Sequence, residues 1–512
     1  MPRPLLLAIA VYISVLMPGT GGAQTSNPFK TTTVPRATAL AATADSRPFG
    51  AAAFTQTPVD LAAVGYEEEE FVVSGIGNVY DWNTDGSINT RTIGLLWATR
   101  ILVRRPIDAS RFSGTVLVDI ANQGAGFDTF AVWGQLSDHL LANGHAYVAM
   151  TAFARNIGAL KMFNSSRYRA LNFPQSPIDK CGGGRDPWNR PAELFPPRDE
   201  GVRWDMMSQV GALLKSRARP GNRRHPMRDL RVEHVFASMQ SAGDLPTYIN
   251  GVHKNVTLEN GKPIYDGFII KDSGAPRSLN ACAPPLAEGD ARRIIRNAGV
   301  PVIHIVAQAE VSAAIRRPDS DELGDEFRRY ELPGASHFDQ WHFKYFPSVA
   351  DLAAAGVPPL SATWTFPKEC QPDVPVNDFP QPYFFAGAFA NLDRWVRTAT
   401  PPPRAEPIAL KEGGAGAATD EFGNARGGVR SPWVDVPGGT FHPIRTGPNT
   451  TPFTCADLGY WEPFTPERLV AVHGSQENYR KKFFDATDRL VRDRWVTAED
   501  GEKIKRDVRA GR

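Results

Sequence analysis

The sequence predicts an α/β fold built on a mostly parallel central sheet, and two observations predict it. First, strand-like and helix-like runs alternate. "GTVLVDIA" (Gly114–Ala121) is followed by an amphipathic stretch from Phe127 to Ala142 and then by "GHAYVAMTAF" (Gly144–Phe153). That order is a βαβ unit, whose strands pair in parallel under a covering helix. Second, these strand runs are apolar nearly throughout rather than alternating, as strands buried on both faces are.

The remaining elements follow in order. Residues 1–23 read as a secretory leader: Arg3 precedes the apolar "LLLAIAVYISVLM", and small residues lead to a cleavage site near Ala23. The apolar run is short for a bilayer span, so stable membrane insertion is not expected. Residues 24–65, rich in Ala, Thr, Pro and Ser, form a loosely ordered lead-in. The main domain is expected over 66–400. It opens with two strands expected to be antiparallel, "EEEEFVVSGIGNVYDW" and "GLLWATRILVRRP". A long aperiodic insertion occupies about 154–202, a length typical of functional loops. "RWDMMSQVGALLKSRA" reads as a helix, "HVFAS" as a strand and "SAGDLPTYINGV" as the next helix, with Pro246 in its first turn. "YDGFIIKDS", "VPVIHIVAQ" and "RRYELPGASHFDQ" supply three more strands, and "AGAFANLDRWVRTA" a closing helix. Residues 401–512 form a Gly- and Pro-rich extension packed on the main domain, ending in charged helix from Pro466.

Composition removes several functions. The 512 residues are 42% hydrophobic and 22% charged, an ordinary globular balance. With a formal net charge of +2 and both signs interspersed, no basic face is concentrated enough for nucleic acid. Four cysteines, Cys181, Cys282, Cys370 and Cys455, lack metal-site spacing. An even count in an exported chain indicates two disulfides, with Cys181–Cys282 and Cys370–Cys455 favoured among the three possible pairings. No metal and no cofactor is implied.

The chemistry centres on "VFASMQSAGDLPTYINGVH" (Val235–His253). A strand meets a turn holding Ser241, and a helix follows at once. That is the local form of a nucleophile elbow, normally G-x-S-x-G, here with Met239 at the first glycine position. The alternative is a serine that merely caps a helix. Two later loops favour the elbow. Glu310 follows the apolar "VPVIHIVAQAE", and His337 lies in the loop after "YELPGAS". The order Ser241, Glu310, His337 is that of an α/β-hydrolase triad. Asp319, Asp321 and His342 are rival partners; His304 reads as core and His253 as a helix cap. The oxyanion would be held by the Ala242 N–H and by a loop N–H from Asn122 or Gln123. Trp188, Trp204 and Trp341 point to an apolar substrate, the alternative being aromatics that simply pack.

The same stretch resembles the elbow of large secreted bacterial α/β-hydrolase-domain proteins, of the form G-E-S-Q-S-A-G-R-L-x-x-Y-I-N-x-V-H. "GYEEEEFVVSGIGNVYDW", "TRILVRRP", "YDGFIIKDSG", "LPGASHFD", "LDRWVRTATPPP" and "DEFGNARGGVRSPWVDVPGG" are similar as well. The resemblance runs from Gly65 onward and implies the α/β-hydrolase fold, with Glu310 and His337 matching the family acid and base. The family elbow has two serines; the first is replaced here by Met239 and the second is Ser241. Loss of the first would silence the enzyme if that serine were the nucleophile. Retention of the second leaves a nucleophile, and this is the preferred alternative. The expectation is therefore a secreted or periplasmic serine hydrolase acting on a small-molecule carboxylic ester. The rivals are an amidase, peptidase or lactonase on the same triad, or a catalytically inactive binding protein of the same fold.

Overall fold

A computed structural model describes residues 30–43, 45–175, 181–182, 186–195, 200–217, 224–240, 243–272, 277–311, 315–357, 376–414, 416–447 and 455–510. The leader expected over 1–23 lies outside them. A nine-stranded sheet forms the centre. Its strands are β1 (Arg36–Leu40), β2 (Tyr66–Trp82), β3 (Ile88–Pro106), β4 (Thr115–Ile120), β5 (Ala146–Met150), β6 (His234–Gln240), β7 (Gly267–Lys271), β8 (Val302–Ala307) and β9 (Phe327–Leu332). The spatial order is β9-β8-β7-β6-β4-β5-β3-β2-β1. From β9 to β5 every neighbour is parallel; β3, β2 and β1 add on antiparallel.

The continuous apolar runs are explained by burial on both faces. Every residue of β4, β5, β7, β8 and β9 is buried. Helices α1 (Ala131–Ala142), α2 (Ala154–Phe163), α3 (Arg203–Lys215), α4 (Asp244–Gly251) and α5 (Gln381–Thr398) pack around it. One core holds Val116, Val118, Val235, Ala237 and Met239 with Met206, Val210 and Tyr248; another holds Leu117, Phe236, Ile303 and Ile305 with Leu136 and Phe389.

The β2–β3 ribbon explains the four consecutive glutamates. Glu67 lies opposite Arg105 and Glu68 opposite Arg104, with Arg104 Nε 2.7 Å from Glu68 Oε2. Glu70 is wholly buried and takes Arg100 at 2.9 Å, Arg167 at 2.6 Å and the Tyr168 hydroxyl at 2.8 Å. Opposite charges placed cross-strand fix the register of a ribbon whose apolar pattern alone fixes it less well.

Three expectations change. The lead-in is not loose where described: β1 pairs with β2, and Phe49 is fully buried against Phe127 and Phe163. The insertion begins with a regular helix, α2. Trp204 is core rather than pocket lining, its Nε1–H donating to the Leu279 carbonyl at 2.6 Å. Beyond Pro401, the Val429 N–H donates to the Glu331 carbonyl and Trp495 stands edge-on to Tyr330. Cys181 and Cys282 are bonded and tie the insertion to the loop beyond β7. Cys455 is also disulfide-bonded, and Cys370 lies outside the described residues. No helix among the described residues is long and apolar enough to cross a membrane.

Candidate active site

Chain order reverses at one point in the parallel part of the sheet. β4 leads away to β5 on one side, while β6 lies on its other side and leads to β7, β8 and β9. Ligands of open α/β sheets bind in the crevice at such a switch, outside the carboxyl ends of the strands. The candidate residues converge there: Asn122 and Gln123 after β4, Gln240 at the end of β6, Asp272 after β7, Glu310 after β8 and His337 after β9.

Ser241 and Ala242 lie outside the described residues, but both flanks are defined. β6 stays regular to Gln240, which pairs with Lys271. Gly243 has φ +102°, a left-handed conformation open to glycine, and α4 starts at Asp244. A strand thus passes into a helix within three residues, with glycine where the backbone turns.

His337 is carried by the "LPGASH" turn. Gly334 has φ +89°, and a Cβ there would come within 3.1 Å of Phe379 and Phe441. Its N–H donates to Gln308 Oε1 at 2.6 Å, and Ala309 N–H donates to the Ala335 carbonyl. These bonds join the loop of Glu310 to the loop of His337. Nδ1 of His337 stands 3.0 Å from Glu310 Oε1 and 3.2 Å from Asp272 Oδ2, its N–H aimed straight at neither. Nε2 faces the end of β6, 3.5 Å from Gln240 Nε2. Burial opposes a charge on the ring, but the two carboxylates outweigh it and push the imidazole up to about 10.

The rivals fall away from this cluster. Asp319 accepts the Arg329 N–H at 2.9 Å, and Asp321 pairs with Arg328 and Arg404. His342 Nδ1 is paired with Asp339 at 2.8 Å in a buried capping box. His304 is core, as expected. His253 does not cap through its ring, which is buried edge-on against Phe268. Of the two oxyanion candidates, Asn122 cannot donate: its N–H already bonds the Thr129 carbonyl at 3.0 Å. Its side chain instead holds the Gln240 carbonyl at 2.7 Å. The Gln123 N–H has no partner among the described residues.

A family model described as an alpha/beta hydrolase domain matches residues 32–506. The chain belongs to the alpha/beta hydrolase domain family. Similar solved structures include the esterase Est22, 11% identical over 58% of this chain and 82% of that one, with a TM-score of 0.27. Acetyl xylan esterase 1 from Thermoanaerobacterium sp. JW/SL YS485 is 10% identical over 59% and 82%, also with a TM-score of 0.27. A lipase/esterase from Lactobacillus plantarum is 10% identical over 47% and 82%, with a TM-score of 0.24. No curated protein matches the sequence.

Within this alpha/beta hydrolase domain, Met239 sits inside β6, opposite Ile270, 1% exposed and part of the core. Met239→Ser is therefore expected to cost about 2–5 kcal/mol, by loss of buried apolar volume and burial of a hydroxyl. It should create no hydrolytic activity. Urea denaturation alongside ester hydrolysis checks this; a faster enzyme of unchanged stability would contradict it.

Sequence reasoning missed Asp272. It is 2% exposed and has φ +58°. Its signal was available: it is a carboxylate immediately after β7, as Glu310 is one on the short turn after β8.

Proposed function

We propose that this hydrolase cleaves carboxylic esters through an acyl-enzyme, with Ser241 as nucleophile, His337 as base and Glu310 as acid. The observation that carries the reading is the His337 ring, with carboxylates 3.0 and 3.2 Å from Nδ1 and with Nε2 3.5 Å from the Gln240 side chain at the end of β6.

Ser241 Oγ attacks the acyl carbon while its proton passes to Nε2. The carbonyl oxygen becomes an oxyanion, held by the Ala242 N–H and the Gln123 N–H. Collapse expels the alkoxide, which takes the proton from Nε2. Water repeats the sequence and releases the acid. The carboxylate beside Nδ1 fixes the tautomer with Nε2 free and stabilises the transient imidazolium. The inactive-fold alternative rested on Met239, which is a core residue here. The leader-like start and the Cys181–Cys282 bond support export.

Hydrolysis of p-nitrophenyl esters from acetate to decanoate tests the reading. Turnover of at least one ester is expected, with kcat/KM rising from pH 7 toward 10, because the base is active only when neutral and its pKa is raised to about 10. The same raised pKa stabilises the fold fully below about pH 6.5, and that contribution is lost as pH rises through the folded value. No turnover across the series would overturn the reading.

A further inference from the structure

We propose that Asp272 is a second positioning acid, sharing the Nδ1–H of His337 with Glu310 and fixing the imidazole from the buried side. The inference deepens the reading above and rests on His337 acting as its base.

The two carboxylates differ in how they are held. The Glu310 side chain is 25% exposed, on a short turn at the rim. Asp272 is locked in place. Its backbone N–H donates to the Ile305 carbonyl at 2.7 Å, and its own carbonyl accepts from His304 Nε2 at 2.9 Å. Its Oδ1 accepts the Ala307 N–H at 3.3 Å. Its Oδ2, the atom facing His337, also takes Lys271 Nζ at 2.8 Å and Gln240 Nε2 at 3.2 Å. A non-glycine residue in left-handed backbone is strained, and such strain persists only where surrounding contacts impose it. Here bonds from β8, together with Lys271 and Gln240, impose it, and the result is a carboxylate oxygen 3.2 Å from the ring.

Lys271 accounts for the ion in a buried place. Its ammonium is fully buried and also reaches Gln381 Oε1 at 3.3 Å and the His337 carbonyl at 3.5 Å. Burial favours the neutral acid, but Lys271 and His337 outweigh it and hold Asp272 well below the usual carboxylate range. The charged or titratable groups around the ring are then Lys271 and Asp272 from β7 and its end, Glu310 after β8, and the Asp339–His342 pair beyond β9; His304 adds a buried ring. Of these, the Asp272 and Glu310 carboxylates lie at Nδ1 and together balance the Lys271 ammonium and an imidazolium, so the arrangement favours the protonated ring that forms as Ser241 attacks.

The test compares Asp272→Asn with Glu310→Gln in the full-length protein. Asp272→Asn should lower kcat on p-nitrophenyl acetate on the order of 10²- to 10⁴-fold with KM little changed. It should also move the ascending pH limb down by at least one unit, and Asp272→Glu should restore part of the rate. The His337 titration midpoint, followed by NMR of histidine-labelled protein, should fall with Asp272→Asn. In Glu310→Gln it should stay above the ordinary histidine value. That measurement needs no catalysis, so it separates failure of this proposal from failure of the esterase reading. If Asp272→Asn does not fold, Glu310→Gln alone decides. An ordinary midpoint in Glu310→Gln, or an unmoved midpoint in Asp272→Asn, would overturn the proposal.

Discussion

Replacing Ser241 with alanine is expected to lower ester turnover on the order of 10⁴- to 10⁶-fold while leaving the fold intact. The loss is large because the triad works as a unit: without the hydroxyl, His337 has no proton to take and no acyl-enzyme forms. The fold should tolerate the change because the β6 pairing with β7 runs only to Gln240 and alanine is no larger than serine. Met239→Ser carries the opposite profile, a stability loss without a gain in rate. Steady-state rates and thermal melts of the two variants separate the roles. Retention of more than a tenth of wild-type turnover in Ser241→Ala would mean another group attacks the ester.

The second large effect is structural. Arg100→Met should destabilise the protein by about 3–5 kcal/mol, the scale for removing one partner of a buried ion pair. Arg100 is wholly buried, 2.9 Å from Glu70 and 3.0 Å from Asp128. Glu70 keeps Arg167, but the buried Asp128 loses its cation and, among the described residues, keeps only Thr151 and Asn156. The consequence reaches the active site. Asp128 belongs to the loop after β4, and Asn156 bridges Asp128 Oδ1 at 2.8 Å to the Asn122 carbonyl at 3.2 Å. Loosening Asp128 frees the segment that presents the Gln123 N–H, so kcat should fall alongside stability. Guanidinium unfolding and ester kinetics on the same preparation measure both. An unchanged midpoint would show that Asp128 is satisfied without Arg100.

Much of this was legible in the sequence for a physical reason. Strands buried on two faces must be continuously apolar, so β4, β5, β7 and β8 stood out. A strand that turns directly into a helix needs small residues, so the Ser241-Ala242-Gly243 turn stood out too. Glu310 was singled out because it follows such a strand. Asp272 satisfies the same rule, but it follows Lys271, and nothing local shows that two charges at the end of "GFIIKD" are buried. Only the neighbours supplied by β6, β8 and the His337 loop bury them. The Asn122 amide was misjudged in the same way: its bond to Thr129 closes a loop whose path depends on Asp128, Arg100 and Asn156. Trp204 looked like pocket lining because local sequence cannot show that Leu279 accepts its N–H.

The central claim is that Ser241 is the nucleophile, and covalent trapping tests it most directly. The wild-type protein is treated with a fluorophosphonate, digested and mapped by mass spectrometry, with and without prior saturation by a hydrolysed ester. The expected result is one adduct, on the peptide spanning Gln240 to Gly243 and at Ser241, suppressed by the competing ester and absent from His337→Ala. An adduct at a different residue, or none in a protein that hydrolyses esters, would contradict the account.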